Sequence, residues 1–432
     1  MYRLFAILLM LLTGTNTEEA NFPTLYIESY ENPFTVEREY WHDGVIRLTG
    51  ADIYDIDYKD ARLRGRGNST WAGGWNDTIQ KRPLRIRFPE GDGSFFGSYE
   101  HRDWILLANA FDPTAGLRTS FALDFATFIS DEFVTSFHFV NLNVNGVDMG
   151  VYQLVDERDI GPGRGTVVIH EDPEISEYWL ELDFRSDDFE VNGHTYDMRY
   201  PSGSAQTEGH IEYAENFITR VSEAIRSRVW EDIIELIDVY SMVNFYLLQE
   251  LVRDSDEGMT STFMTIRGAG EDRRLFMGPF WDFDLTLGNV GTYDLGNYNP
   301  EGIWAAYANY WFYNLMAVSE FRVLVRDRWN EVKDTYLHKA LLNLVYTASV
   351  YRSEFKRNFE IHDILGSGWL LPSGEYEPVQ SHITEIETFS GQVEYLINFI
   401  LRRAHWLDSY FNRPIVIWSL NLDPTNFNIN AV

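Results

Sequence analysis

The period of the apolar residues changes near Gly209, in the middle of this 432-residue chain. Before that point, segments such as residues 84–88 alternate apolar and polar side chains, which is typical of half-buried β-strands. After it, apolar residues recur every three to four positions in residues 211–251 and 393–410, which predicts amphipathic helices. Strands first and helices second indicate an α+β fold with two lobes. We expect a ligand site in the cleft between these lobes.

Two local signals mark the strand-rich half. Asn145 and Gly146 separate two alternating segments, and this pair favours a β-hairpin because both residues tolerate positive φ. Residues 112–114 are Asp, Pro and Thr, and a segment with an apolar side follows them. This order predicts a capped helix that reaches about residue 129.

The charge and the composition exclude several functions. The formal net charge is −31. Such a surface repels nucleic acid and anionic membranes, so neither is an expected partner. It is compatible with a basic substrate, and equally with solubility outside the cell. The chain has no cysteine, which excludes disulfides, thiolate catalysis and Cys-type zinc sites.

The first residues predict export from the cell. A short positive segment precedes an apolar run at residues 4–12, which is too short to span a bilayer as a helix. We interpret residues 1–17 as a signal peptide, with a small-residue cleavage zone at 14–17, and expect a secreted or cell-surface protein. An apolar N-terminus without a targeting role is the alternative. No later segment reaches the length of a membrane span.

Three carboxylates are candidates for chemistry. Asp282 and Asp284 stand in the apolar segment 278–289, where an unpaired buried carboxylate is costly and a hard cation fits oxygen ligands. On an extended strand both side chains would face one side and could bind one magnesium ion or two. The alternative is that Asp282 caps a turn and Asp284 pairs with an arginine. Asp256 lies in a polar loop that follows the predicted helix ending near Leu251.

A candidate phosphate site lies upstream. Residues 64–71 combine glycines, which let the backbone approach a ligand, with Arg66 and Asn68. Arginine binds phosphate oxygens bidentately. Lys81 precedes a predicted strand and could extend an ammonium group into the same cleft; solvated surface charges are the alternative. Neither a Walker loop nor a Gly-x-Gly-x-x-Gly fingerprint is present.

Five blocks, in order, resemble the spore coat protein H (CotH) kinase family over residues 50–410. They are Arg64-Gly65-Arg66-Gly67-Asn68-Ser69-Thr70-Trp71; Lys81-Arg82-Pro83-Leu84-Arg85-Ile86-Arg87; Trp104-Ile105-Leu106-Leu107-Ala108-Asn109 with Asp112 and Arg118; Gly150-Val151-Tyr152-Gln153-Leu154-Val155-Asp156-Glu157; and Pro279-Phe280-Trp281-Asp282-Phe283-Asp284. The resemblance implies an atypical protein-kinase-like fold, with a strand-rich N-lobe at 21–183 and a helical C-lobe at 184–432. It also implies ATP, Mg²⁺ or Mn²⁺, and Ser residues of secreted or coat proteins as substrates.

The resemblance also implies roles for residues of the N-lobe. Arg66 and Asn68 would lie near the ATP phosphates, and Lys81 would grip them. Glu157 is our preferred acidic partner of Lys81, with Asp124 as the alternative. The helix at 114–129 would take the place of the kinase regulatory helix, and Glu181 would lie near the hinge between the lobes.

In the C-lobe, the resemblance implies that Asp256 is the catalytic-loop aspartate and that Asp282 and Asp284 bind the metal. Two departures leave alternatives open. The residue five positions after Asp256 is Ser261, where a kinase has a metal-binding Asn, and no His-Arg-Asp motif precedes it. Asp254 is a second candidate for the proton acceptor.

Three functions are compatible with these residues. The first is a secreted ATP-dependent serine kinase, and the joint presence of Lys81, Asp256 and Asp282 favours it. The second is a non-enzymatic surface or adhesin-like binding protein on the same scaffold. The third is an aromatic-rich carbohydrate-binding or hydrolysing protein, since 16% of the residues are aromatic, but residues 64–71 would have no role there.

Overall fold

The computed structural model describes most of the chain. The described residues are 21–31, 37–67, 69–72, 81–89, 91, 93–161, 164–165, 167–290, 298–366, 369–370, 376–377 and 381–413. The predicted signal peptide and the predicted phosphate ligand Asn68 lie outside these residues.

The first half of the chain contains a closed β-barrel with strand order β1-β2-β3-β4-β5-β7-β6. The strands are β1 (Thr24–Ser29), β2 (His42–Thr49), β3 (Ile56–Gly65), β4 (Leu84–Arg87), β5 (Asp103–Leu107), β6 (Phe137–Val144) and β7 (Val147–Asp156). Neighbouring strands are antiparallel except where β1 closes the barrel by pairing in parallel with β6. Alternate side chains such as Leu63, Ile86 and Leu154 point inward and form the buried barrel core.

The predicted hairpin at Asn145 and Gly146 is confirmed. Val144 of β6 pairs with Val147 of β7, so these two residues form the whole turn. Asn145 has φ 49° and Gly146 has φ 83°, the left-handed values that a tight hairpin turn requires.

The predicted helix after residue 114 is also confirmed, as α2 (Leu117–Ile129), which follows the short helix α1 (Ser69–Ala72). Asp112 organises its start. The Asp112 carboxylate accepts hydrogen bonds from the backbone N–H of Thr114 at 2.8 Å and of Gly116 at 3.0 Å. It also pairs with Arg118 at 2.6 Å, and neither side chain of this ion pair is exposed. Both charges are therefore compensated within the protein interior.

A second, antiparallel sheet follows the barrel in the chain, with strand order β12-β11-β8-β10-β9. Its strands are β8 (Tyr178–Leu182), β9 (Phe189–Val191), β10 (His194–Tyr200), β11 (Thr262–Arg267) and β12 (Arg274–Met277). The segment around Glu181, which the resemblance put near an interlobe hinge, is the central strand of this sheet and pairs with both β10 and β11.

Helices make up most of the second half, as the apolar spacing predicts. They are α3 (Glu208–Ser227), α4 (Trp230–Ile234), α5 (Val239–Val252), α6 (Ala305–Ala308), α7 (Tyr310–Leu315), α8 (Ser319–Val332), α9 (Tyr336–Val350), α10 (Arg352–Ile361), α11 (Ser381–Thr384) and α12 (Phe389–Phe411); two short strands, β13 (Trp369–Leu370) and β14 (Tyr376–Glu377), pair beside them. One apolar core joins α2, the second sheet and the long helices, and it is distinct from the barrel core.

The mixed α+β content is confirmed, and a closed seven-stranded barrel is the form that the strand-rich half takes. The division into two lobes at residues 183–184 stays a prediction. Among the described helices, none combines the length and the apolar character needed to cross a membrane.

Candidate functional site

The loop after α5 carries the first candidate group. Buried residues line every side of α5. Arg253, the residue directly after the helix, has φ 53°, and its Nη1 donates to the carbonyl oxygen of Gly302 at 2.8 Å. Asp254 turns inward: its Oδ1 accepts from the backbone N–H of Asp256 at 3.1 Å, and Trp304 Nε1 donates to its carbonyl at 2.7 Å. Asp256 is partly exposed. The loop therefore buries one aspartate and presents the other.

The segment at 278–289 carries the other two candidates, and it is not the extended strand that we predicted. Asp282 has φ 68°, so the backbone turns there instead of continuing as a strand. Ser261 Oγ donates to Asp282 Oδ2 at 3.1 Å, which holds the carboxylate toward the loop after α5. Asn289 Nδ2 donates to the carbonyl of Asp284 at 2.7 Å and closes the turn. The turn, and not the alternation of side chains along a strand, therefore positions the two carboxylates in the site.

The three carboxylates lie close enough to act on one another. Burial raises the pKa of Asp256 to about 7, with the charge of Asp282 adding to the shift. Burial also raises the pKa of Asp284 well above its usual range, with further contributions from Asp282, Asp256 and Asp112. Burial and the neighbouring Asp256 raise the pKa of Asp254 in the same direction. The site thus concentrates negative charge that the described residues only partly neutralise.

Arg185 is the basic residue that acts on Asp256. It lies beyond the end of β8, its Nε donates to Asp183 Oδ1 at 2.9 Å, and its Nη2 donates to Thr260 Oγ1 at 2.6 Å. Its charge opposes the rise in the pKa of Asp256. Sequence reasoning did not identify Arg185, although it follows Asp183 by only two positions.

A group of arginines borders the carboxylates. The guanidinium carbon of Arg66 lies 5.8 Å from the ring centroid of Trp281, the residue directly before Asp282. Burial lowers the pKa of Arg66, against the opposing charges of Glu157 and Asp282, so it lies near both. Glu157 Oε2 pairs with Arg85 at 3.3 Å. Three of the predicted residues, Arg66, Glu157 and Asp282, therefore share one region.

Glu181 reaches the same region from the second sheet. Its Oε2 lies 3.5 Å from Arg199 Nε, and it is almost completely buried. Burial raises the pKa of Glu181, while Arg158 and Arg199 oppose the shift. Arg158, Arg199 and Trp281 are residues that sequence reasoning missed as members of the site. The position of Arg158 directly after Glu157 was the available signal.

Lys81 lies beside Tyr152, a residue of the barrel core, and does not pair with this group of carboxylates and arginines. It is 1% exposed, its Nζ lies 5.3 Å from the ring centroid of Tyr152, and no described residue accepts a hydrogen bond from it. Burial lowers its pKa to about 7, and the charge of Asp112 opposes the shift. Asp112 also acts on Asp284, so this aspartate connects Lys81 with the carboxylate cluster.

Neither of the proposed acidic partners forms an ion pair with Lys81 in the described part of the chain. Glu157 pairs with Arg85. Asp124 accepts a hydrogen bond from Asn343 Nδ2 at 3.1 Å, and burial raises its pKa to about 6. The ATP-binding roles of Lys81 and Glu157 stay predictions.

The donor chemistry of the site fits a magnesium ion. No group of three or more His, Asp or Glu side chains is placed to hold a metal within the described residues. Magnesium in phosphotransferases usually needs only one or two protein carboxylates, because phosphate oxygens and water complete its shell. Asp282 and Asp284 supply two hard oxygen ligands, and Asn289 Oδ1 next to them is buried without a hydrogen-bond partner. A cation would also relieve the repulsion within the cluster.

A buried helix, an acidic loop, a β-hairpin and a second acidic segment follow one another here, the order in which protein kinases carry their catalytic and metal-binding aspartates. This arrangement of acidic groups is compatible with a phosphotransferase. The chain belongs to the CotH kinase family: the family model described as CotH kinase protein matches residues 63–407, nearly the whole chain. A search of curated proteins finds no match to it.

Proposed function

We propose that this chain is a secreted atypical protein kinase that transfers the γ-phosphoryl group of ATP to Ser hydroxyls of secreted or surface proteins. Membership of the CotH kinase family supports phosphotransfer in general. The observation that carries the proposal is the proximity of three carboxylates. Asp256, Asp282 and Asp284 lie close enough for their charges to interact, and they border a group of arginines. Kinase catalysis depends on this combination of metal ligands, a positioned acid and phosphate-binding cations.

Asp256 orients the Ser hydroxyl and takes its proton. Asp256 is partly exposed, whereas Asp254 is buried and accepts a hydrogen bond from the loop backbone, so Asp256 is the more accessible of the two. A pKa raised to about 7 places Asp256 near the pH at which it would work as a general base. Arg185, held by Asp183 and Thr260, keeps a positive charge beside it.

Asp282 and Asp284 are the residues that would hold Mg²⁺ or Mn²⁺, with Asn289 as a neighbouring oxygen donor. The ion, when bound, supplies positive charge that neutralises the phosphate oxygens during transfer. Ser261 stands where a kinase carries its metal-binding Asn, and its Oγ donates to Asp282. It therefore fixes the orientation of one carboxylate.

Arg66, with Asn68 and Lys81, is proposed to bind the phosphates of ATP. Arg66 has no ion pair within the described residues, so its guanidinium is available to an anion. Glu157 and Glu181 hold the neighbouring Arg85 and Arg199 and limit the net positive charge of the group. Their proposed contribution to ATP binding is to position these arginines.

The predicted signal peptide at residues 1–17 supports a location outside the cell. The net charge of −31 is compatible with a basic protein substrate that carries Ser. A basic segment would be attracted to the surface as a whole before its Ser reached Asp256.

The test uses the purified protein that begins near residue 18. It is incubated with γ-labelled ATP and either Mg²⁺ or Mn²⁺, together with a basic and an acidic Ser-containing protein. We expect metal-dependent label on Ser, with more on the basic protein. Asp282→Asn and Asp256→Asn should abolish most of the label.

Asp327→Asn is the matched control, because Asp327 is an exposed aspartate on α8 that pairs only with Arg326 among the described residues. It should label as the wild type does. If the wild type binds Mg-ATP but transfers no phosphate to any Ser-containing protein, the chain is a non-enzymatic binding protein on the same scaffold. If it binds no nucleotide at all, the kinase function is wrong.

A further inference from the structure

Trp281, the residue before Asp282, is contacted by two arginines from different parts of the chain. Arg158 lies two residues beyond the end of β7, and its guanidinium carbon is 4.2 Å from the ring centroid of Trp281 and 4.4 Å from that of Phe263. Arg66 lies over the same Trp281 ring at 5.8 Å. Trp281 and Phe263 are both buried, so both guanidinium groups pack against aromatic side chains that belong to the protein interior.

Arg158 is incompletely satisfied. Its Nε and Nη1 atoms are shielded from solvent, and neither has a hydrogen-bond acceptor within the described residues. It forms no ion pair there either. Buried N–H groups of a cation normally have acceptors, since leaving one without a partner costs free energy. The guanidinium of Arg158 therefore has unused hydrogen-bonding capacity, and the residue is partly exposed, so an anionic ligand could approach it.

The carboxylates of this region are already engaged by other arginines. Glu157 pairs with Arg85 at 3.3 Å, and Glu181 lies 3.5 Å from Arg199. Both carboxylates also act on Arg158 from a greater distance, and Arg66 and Arg199 repel it. The four arginines that share these two glutamates are Arg66, Arg85, Arg158 and Arg199.

Arg85 and Arg199 each have a further acidic partner, Asp103 at 3.0 Å and Asp197 at 2.7 Å. Arg66 and Arg158 have none among the described residues. Of these four arginines, Arg66 and Arg158 are thus the two without a direct carboxylate partner among the described residues, in a chain whose net charge is −31. Both lie over the ring of Trp281, directly before Asp282, the proposed metal ligand.

We propose that Arg158 and Arg66 together form a polyphosphate clamp on Trp281, in which the guanidinium groups of both arginines donate to the phosphate chain of ATP. This inference rests on the proposed kinase function and names a phosphate-binding residue for it. Nε and a terminal N–H of one guanidinium match two oxygens of a phosphate group. Trp281 holds both cations by its ring face and sets their distance from Asp282.

The test measures binding of inorganic tripolyphosphate by calorimetry, in the presence of a chelator so that only protein cations contribute. Arg158→Met keeps the aliphatic stem and removes the guanidinium. We expect its Kd for tripolyphosphate to rise about tenfold or more, as for the loss of a charge-assisted hydrogen bond. Its Kd for adenosine should not change. Arg158→Lys should recover only part of the affinity, because lysine lacks the planar fork.

Arg267→Met is the matched control. Arg267 also lies over an aromatic ring, that of Phe276 at 3.7 Å, but it is paired with Glu132 at 2.6 Å. Its loss should leave tripolyphosphate binding unchanged. Thermal unfolding of each variant verifies the fold, and if Arg158→Met does not fold, Arg158→Lys alone carries the comparison.

The outcomes separate the clamp from the kinase function. An unchanged Kd for tripolyphosphate in a folded Arg158 variant overturns the clamp, even if phosphotransfer to Ser is detected. An equal loss of adenosine affinity also overturns it, because Arg158 would then contact the base. If tripolyphosphate binding depends on Arg158 while no phosphate is transferred to protein, the clamp stands and the proposed kinase function fails.

Discussion

Replacing Lys81 with methionine should stabilise the protein, in a way that depends on pH. Methionine has nearly the same length and keeps the packing of the aliphatic stem, so the change mainly removes a buried ammonium group. Lys81 is 1% exposed and lacks a hydrogen-bond partner within the described residues. Burial lowers its pKa from 10.5 to about 7.

The magnitude follows from this shift. Between about pH 7 and 10.5 the unfolded chain binds a proton at Lys81 that the folded protein largely does not, so stability rises with pH across this window. At pH 7 the charge of the buried lysine costs roughly 4 kcal/mol, and this ionisation cost disappears above pH 10.5. Lys81→Met should therefore gain about 4 kcal/mol of stability over the wild type from this source at pH 7, and this pH-dependent gain should vanish near pH 11.

The groups that face Lys81 do not obscure this dependence. Burial lowers the pKa of His362 to about 4 and raises the pKa of Tyr152, so neither changes charge in the folded protein within the window. Their titration in the unfolded chain is common to both proteins and cancels in the difference. Asp112 is held by Arg118 in a buried pair. Urea unfolding of both proteins at several pH values between 6 and 11 measures the difference. A difference that stays constant with pH, or a variant less stable than the wild type at pH 7, would refute the reasoning.

Three further predictions concern the site. Asp282→Asn should abolish the thermal stabilisation by Mg-ATP and leave the unliganded fold intact; if it binds Mg-ATP as tightly as the wild type does, Asp282 is not a metal ligand. Arg66→Ala should raise the Kd of a non-hydrolysable ATP analogue about tenfold in calorimetric titration, and an unchanged Kd would show that Arg66 does not bind the nucleotide. Asp256→Asn should keep nucleotide binding but lower phosphorylation by about 10²-fold, while Asp254→Asn should do much less. If Asp254→Asn is instead the inactive variant, Asp254 is the acceptor.

Local chemistry made part of the fold predictable from the sequence. The hairpin at Asn145 and Gly146 and the helix after Asp112 each depend on a few adjacent residues, and both are present, although the helix begins only at Leu117, after Gly116. The joining of the barrel ends was not predictable in this way. It depends on pairing between Thr24 and Asn141, for which a single sequence carries no local signal.

The site was predictable in its residue types more than in its geometry. Asp282 and Asp284 were identified because they are charged residues in an apolar segment, and Asp256 because it lies in a polar loop after a predicted helix. The structure brings the three residues together. The extended strand predicted for Asp282 was wrong, because the left-handed backbone there is imposed by tertiary contacts such as the hydrogen bond from Ser261. Arg158 was missed because its partners Phe263 and Trp281 lie more than a hundred residues away in sequence.

The parallel pairing of β1 with β6 has a consequence for how the barrel is made. β1 is the first strand of the described chain, yet its closing partner ends at Val144. In a chain that leaves a ribosome or a translocation channel N-terminus first, the edge of β1 that pairs with β6 must stay unpaired until β6 emerges. Such late long-range closure slows folding. A truncation that removed β1 would leave β2 and β6 as open edges, which favour aggregation, so residues from Thr24 onward belong in any expressed form.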